Sequence, residues 1–169
     1  MVESGKIMRY IIAIYVENKH GVLTRVSSLF MRRGFNISSL TVSETENTMY
    51  SRITITLDGD DYSCDQLIKQ LYKLQNVKKV KRLDQDGSVE RELALIKVYN
   101  TPETRNEITS AVDVFRAKII DYTPGSICIE VTGEPLKINA FIDVIKSAGI
   151  LEICRTGIVA LDRGTETLT

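Results

Sequence analysis

Histidine occurs once in these 169 residues, at position 20, and tryptophan not at all. A single imidazole excludes a two-histidine metal site and the HExxH arrangement, in which two rings must reach one ion. No GxSxG elbow, P-loop or GxGxxG is present either. General acid–base and covalent mechanisms need groups that sit together with tuned pKa values, and here the supply is thin. Independent catalysis is not expected. The three cysteines, Cys64, Cys128 and Cys154, are odd in number, widely spaced and mostly flanked by apolar residues. That argues against a disulfide framework or a zinc site and predicts buried thiols. No apolar run approaches the roughly 18 to 20 residues that cross a bilayer. The N-terminal MVESGKIMRY lacks an apolar stretch ahead of a small-residue cleavage site, so no signal peptide is read and the cytosol is the expected compartment.

Charge of one sign is also lacking, since 22 Lys and Arg balance 22 Asp and Glu. The halves differ: residues 1–84 hold 13 basic against 9 acidic side chains, and residues 85–169 hold 9 against 13. An asymmetry of +4 and −4 is too small to argue for nucleic acid, and no basic run is interleaved with aromatics. The acids of DGDD (58–61) place carboxylates at alternate positions, as a calcium loop begins. The glutamate at the twelfth position of such a loop is missing, and a solvated turn is the reading.

What is present is periodicity. MRYIIAIYV (8–16) is almost continuously apolar and suits a central strand. Val22, Leu23, Val26, Leu29 and Phe30 then fall at helical spacing, and Gly34 follows two basic residues as a helix stop. NISSLTV (36–42) and YSRITITL (50–57) read as strands around an ETENT hairpin loop. Ser63 and Gln66 suggest a capping box for a helix carrying Leu67, Ile68, Leu71 and Leu74. VKKVKRL closes the unit.

The same order recurs after the polar linker LDQDGSVERE. ELALIKVY is a strand, Thr101-Pro102 opens a helix with proline at its first position, and AKIIDYT and SICIEVT flank Pro124-Gly125. Glu134-Pro135 starts a further helix, Gly149 stops it, and ILEICRTGIVAL is read as one final strand with GTETLT fraying beyond it. The expected fold class is α+β, with two ferredoxin-like βαββαβ domains at residues 8–84 and 92–162 and a linker at 85–91. Helices on one face of a small sheet leave the other face and the edges unpartnered, so dimerisation is a physical expectation.

Between the first strand and first helix lies NKHG (18–21). Glycine at such a junction permits a positive φ or close approach of a ligand to the backbone. The first helical turn offers free N–H groups that suit a carboxylate or phosphate. Asn18 can both accept and donate a hydrogen bond, so it can hold an ammonium or a loop carbonyl. A receptor for a small zwitterion and a plain turn glycine beside a capping asparagine both remain open. Asn36 lies at the other end of the helix. In a split βαβ fold one protomer is not expected to bring it to Asn18, whereas two protomers joined edge to edge or helix to helix can.

The segment Asn18-x-x-Gly21-Val22-Leu23-x-Arg25-Val26-x-x-Leu29-Phe30-x-Arg32-Arg33-Gly34-Phe35-Asn36-Ile37-x-Ser39-Leu40-x-Val42 strongly resembles the N-terminal ACT domain of the acetolactate synthase small, regulatory subunits. QLYKLQNVKKV (70–80) and the short second domain fit the same family. The resemblance implies an ACT domain at residues 8–84 that binds effector and dimerises through a continuous sheet, and a regulatory C-terminal domain. It implies a homodimer that binds the large catalytic subunit, raises its activity and transmits feedback inhibition by valine, or by leucine or isoleucine. It further implies an effector site from Asn18, Gly21 and Asn36, with Val22, Leu23 and Ile37 as apolar neighbours. Thiamine diphosphate, Mg2+ and FAD are implied for the large subunit, with no cofactor, nucleic acid or membrane for this chain. Lys19 and His20 lie outside the family's functional set. Two alternatives stay open: a free-standing amino-acid-binding ACT protein, and an RNA-binding ferredoxin-like domain, which would need exposed aromatics on its central strands.

Overall fold

The computed structural model describes residues 8–169, so the first seven residues of MVESGKIMRY, on which the signal-peptide reading rested, lie outside the described residues. The chain forms two compact units. The first comprises the described residues up to Val89 together with Ile158–Thr169, and the second comprises Glu90–Gly157.

The first unit runs β1 (Met8–Glu17), α1 (Val22–Arg32), β2 (Ile37–Glu44), β3 (Tyr50–Gly59), α2 (Asp61–Leu71) and β4 (Val77–Leu83). Its antiparallel sheet has the order β2-β3-β1-β4, so β1 is central and β2 is an edge. Strand alternation divides β1 between two cores. Tyr10, Ile12, Ile14 and Val16 pack with Val22, Val26 and Phe30 of α1 and with Cys64, Leu67 and Leu71 of α2. Ile11 and Ala13 point the other way, where they join Leu83, Ile158, Ala160 and Leu168, with Tyr15 alongside. The near-continuous hydrophobicity of β1 follows from burial on both faces.

The C-terminal segment thus supplies the cover that the second sheet face needs. Besides its apolar anchors it is tied down by polar contacts. An Arg52 guanidinium nitrogen donates to the Ala160 carbonyl at 2.7 Å and Lys79 Nζ to the Thr167 carbonyl at 3.1 Å. Lys81 Nζ lies 3.0 Å from Asp162 and 2.8 Å from Glu166. Two expectations are corrected here. The run ILEICRTGIVAL is two strands, β8 (Ile150–Arg155) and, after the sequence continues, β9 (Val159–Asp162), separated at Gly157, whose φ is +81°. GTETLT does not fray, because Leu168 is 3% exposed. Residues 158–162 therefore group with the first unit rather than with the expected domain at 92–162.

In the second unit β5 (Ser88–Tyr99), α3 (Arg105–Phe115), β6 (Lys118–Tyr122), β7 (Ser126–Gly133), α4 (Pro135–Ile145) and β8 repeat the element order, with β6-β7-β5-β8 as the sheet path. All but the first two residues of β5 belong to this unit. The linker expected at 85–91 is shorter, because β5 starts at Ser88. Pro102 sits in a turn ahead of α3, whose N-cap is Thr104, whereas Pro135 does open α4 behind Glu134. Asp60 rather than Ser63 caps α2. Its carboxylate accepts from the Ser63 N–H at 2.9 Å and the Ser63 hydroxyl at 2.8 Å, so the helix begins two residues before the expected cap. Of the three thiols expected to be buried only Cys64 is; Cys154 is exposed and Cys128 half-buried. Both lie on the sheet face away from the helices, opposite Leu95 and Lys97.

Burying a leucine contributes on the order of 2 kcal/mol. Leu168→Ala is expected to lower stability by about 2 kcal/mol, the low end for such a change because the segment can relax. Removing residues 158–169 is expected to lower the thermal midpoint further by baring Ile11, Ala13 and Leu83. Denaturant and thermal unfolding check this; unchanged midpoints would show that the segment is not a structural cover.

Candidate functional site

The chain leaves β1 at Glu17, which stands opposite Tyr50 in the β1–β3 register. Its carboxylate gathers the neighbourhood: Oε1 lies 2.7 Å from Lys78 Nζ and Oε2 2.8 Å from Lys19 Nζ. Asn76 Nδ2 donates to Oε2 at 2.9 Å, and the Asn76 side-chain oxygen accepts from Arg25 of α1 at 2.6 Å. The Lys19 and Lys78 ammonium groups, with Asn76, hold the Glu17 carboxyl down at about 2. One side chain thereby joins the end of β1, the turn, α1 and the start of β4.

Asn18 comes next. Its N–H donates to the Met49 carbonyl at 2.8 Å, and its Nδ2 donates to Glu44 Oε1 and to the Thr48 carbonyl, both at 3.0 Å. Asn18 therefore fastens the β2–β3 hairpin and does not cap α1. Gly21 is the N-cap, at φ +79° in the left-handed region that favours glycine, with no side-chain cap. Open space surrounds the position a Cβ would take, so it is the backbone conformation that calls for glycine. The Val22 N–H reaches the Lys19 carbonyl at 3.3 Å, while those of Leu23 and Thr24 have no hydrogen-bond partner among the described residues. The Val22 side chain belongs to the core and Leu23 is 42% exposed.

Asn36 and Ile37 lie at the far end. Phe35 N donates to the Phe30 carbonyl behind Gly34, Asn36 is exposed, and Ile37 packs partly on the core and stands opposite Leu57. From Tyr50 to Leu57 the sheet advances roughly 23 Å at strand rise. The six site residues anticipated from sequence thus fall in two groups within one chain: Asn18, Gly21, Val22 and Leu23 together, and Asn36 with Ile37 at the opposite end. Glu17, Arg25, Glu44 and Asn76 escaped sequence reading, because only strand register and the hairpin bring them to the turn.

The acids of DGDD are each engaged by protein groups: Asp58 by Ser38 and Arg9, Asp60 by Ser63, and Asp61 by Tyr10 and Arg82. Among the described residues no group of three or more His, Cys, Asp or Glu is placed to hold a metal ion, and no helix is long and apolar enough to cross a membrane.

The depressed Glu17 carboxyl stabilises the fold fully above its ordinary value of 4.5, and this contribution is lost as pH falls toward about 2. Glu17→Gln is expected to remove it, so wild type and variant should differ in denaturant stability at pH 7 and converge near pH 2. A gap that stays constant across that range would sink the assignment.

Comparison with known proteins agrees with this architecture. Residues 12–79 match the model of the AHAS small subunit-like ACT domain, and residues 91–164 that of the small subunit of acetolactate synthase. A probable acetolactate synthase small subunit of Archaeoglobus fulgidus is 52% identical over 94% of this chain and 99% of its own length. An acetolactate synthase small subunit of Mycolicibacterium smegmatis is 49% identical over 90% of each chain. The crystal structure of the Thermotoga maritima acetolactate synthase small subunit superposes with a TM-score of 0.87 at 45% identity, covering 95% of this chain and all of the other. Spanned by both family models and by full-length relatives, the chain belongs to the acetolactate synthase small regulatory subunits, with an ACT-like domain at its N-terminus.

Proposed function

We propose that two copies of this chain join through β2 and bind a branched-chain amino acid at each end of the junction, thereby setting the activity of a catalytic acetolactate synthase subunit. The observation that carries this reading is the Asn18–Glu44 hydrogen bond. It ties Asn18 to the last residue of β2, an edge strand, while Asn36 stands just before its first residue, Ile37. An antiparallel pairing of two β2 strands about a two-fold axis brings the start of each strand to the end of the other. Asn36 and Ile37 of the partner subunit then meet Asn18, Gly21 and Leu23, and the two groups that one chain keeps apart form one site. Among the described residues β2 is an edge strand of its sheet, an edge is a template for such pairing, and closed two-fold assembly is the commonest symmetry.

Thiamine diphosphate, Mg2+ and FAD belong, in this reading, to the catalytic subunit. The small subunit acts by linkage: an effector that binds one state of the dimer better shifts the assembly by that difference, typically about 1–3 kcal/mol. A free-standing amino-acid sensor would share the site and lack the catalytic partner; full-length likeness to acetolactate synthase small subunits favours the first reading. An RNA platform is disfavoured by its aromatics. Tyr10 is buried beneath Arg82, and Tyr15 is stacked on Tyr50 at 4.8 Å and packed beside the C-terminal segment.

Calorimetric titration with valine, leucine and isoleucine is expected to show binding of at least one, weakened about tenfold or more by Asn18→Ala. In assays with the catalytic subunit, added chain should raise turnover and confer amino-acid sensitivity; unchanged turnover with and without valine would refute the proposal. Gly21→Ala, which costs about 1–2 kcal/mol of backbone strain without a steric clash, should lower sensitivity more than activation. Equal loss of both would indicate misfolding instead.

A further inference from the structure

An asparagine amide offers two hydrogens on nitrogen and two lone pairs on oxygen. At Asn18 both hydrogen-bond partners of the amide, Glu44 Oε1 and the Thr48 carbonyl, are acceptors. Their chemistry fixes which end of the planar amide is nitrogen, and they use both of its hydrogens. The Asn18 amide has no hydrogen left to donate, and Oδ1 makes no hydrogen bond among the described residues. A carboxylate placed there would meet a carbonyl oxygen, with the Glu44 carboxylate next to it. An ammonium would meet an acceptor beside a carboxylate. The main chain reinforces the arrangement, because the Asn18 N–H is held by the Met49 carbonyl on the same hairpin.

We propose that Glu44 is a positioning residue of the effector site: by engaging Asn18 Nδ2 it turns Oδ1 toward the ligand and makes the site select the ammonium group of an amino acid. This rests on the effector reading above and adds a chemical criterion to it. The site takes an amino acid by its ammonium at Asn18 and rejects the carboxylic acid of the same skeleton. Glu44 acts through Asn18, so its effect disappears when Asn18 is replaced.

Calorimetry on the full-length chain tests this with valine and with 3-methylbutanoate, which is valine without its ammonium group. Wild type should bind 3-methylbutanoate at least about tenfold more weakly than valine, as expected when a hydrogen-bonding partner is lost. Glu44→Ala releases one amide hydrogen and lets the amide turn, so valine should weaken about tenfold while 3-methylbutanoate is unchanged. Glu44→Gln keeps an acceptor for Nδ2 and should stay within about threefold of wild type. The Asn18→Ala/Glu44→Ala double variant should bind valine no more weakly than Asn18→Ala alone. Wild-type affinity in Glu44→Ala, multiplying losses in the double variant, or equal binding of the two ligands by wild type would each overturn the proposal while leaving the effector reading standing. A wild-type chain that binds none of the three branched-chain amino acids would overturn both.

Discussion

Burial of β1 on both faces is the constraint on which the N-terminal unit depends. Side chains at even positions from Tyr10 to Val16 are claimed by the helices, and Ile11 and Ala13 by the C-terminal segment. A one-residue slip would exchange the two sets, so the register of β1 is fixed from both sides. The strand must then end at a set place. Glu17, just past the buried run, offers its carboxylate to two lysines, and the turn from Asn18 to Gly21 inherits its position from packing some distance away. A turn held by a rigid strand and by a carboxylate with two lysines does not need its own side chains for support. That leaves the Asn18 side chain to fasten the hairpin and, in the proposed reading, to meet a ligand.

Much of this was legible in the sequence. The βαββαβ order, the hairpin at ETENT, the helix opened by Pro135 and the need for a positive φ at Gly21 each rest on local chemistry that a short window contains. Apolar continuity in β1 correctly signalled a strand buried on both faces, without showing what covered the second. The misreadings share a cause. ILEICRTGIVAL has a largely apolar pattern, but pattern cannot tell which core each part serves, and Gly157 marks the break. Leu168 looks like a stray residue in a polar tail unless the cavity it fills is known. Asp60 out-competed Ser63 as a cap because its carboxylate accepts both Ser63 groups at once.

The candidate site was half legible for a physical reason. Asn18 and Gly21 announce themselves by their place between strand and helix, and Asn36 by repeating that theme behind a helix stop. Glu44 carries no such sign. It closes an edge strand, and it meets Asn18 only because the hairpin folds Thr48 and Glu44 back toward that residue. Second partners of a functional side chain are set by tertiary register, and single-sequence reasoning has no access to them.

The C-terminal cover has a consequence for synthesis. Residues 158–169 follow the whole second unit in the chain, yet they cover the second face of the first unit's sheet. The unit translated first is therefore finished last. While the ribosome makes residues 90–157, Ile11, Ala13 and Leu83 face water, and the N-terminal unit waits for a cover that is translated after the second unit. A transcript or nascent chain cut short within the second unit would yield an N-terminal unit with an open apolar face, a species that chaperones and proteases recognise. The fold thus ties the cover of the first unit to synthesis of the second.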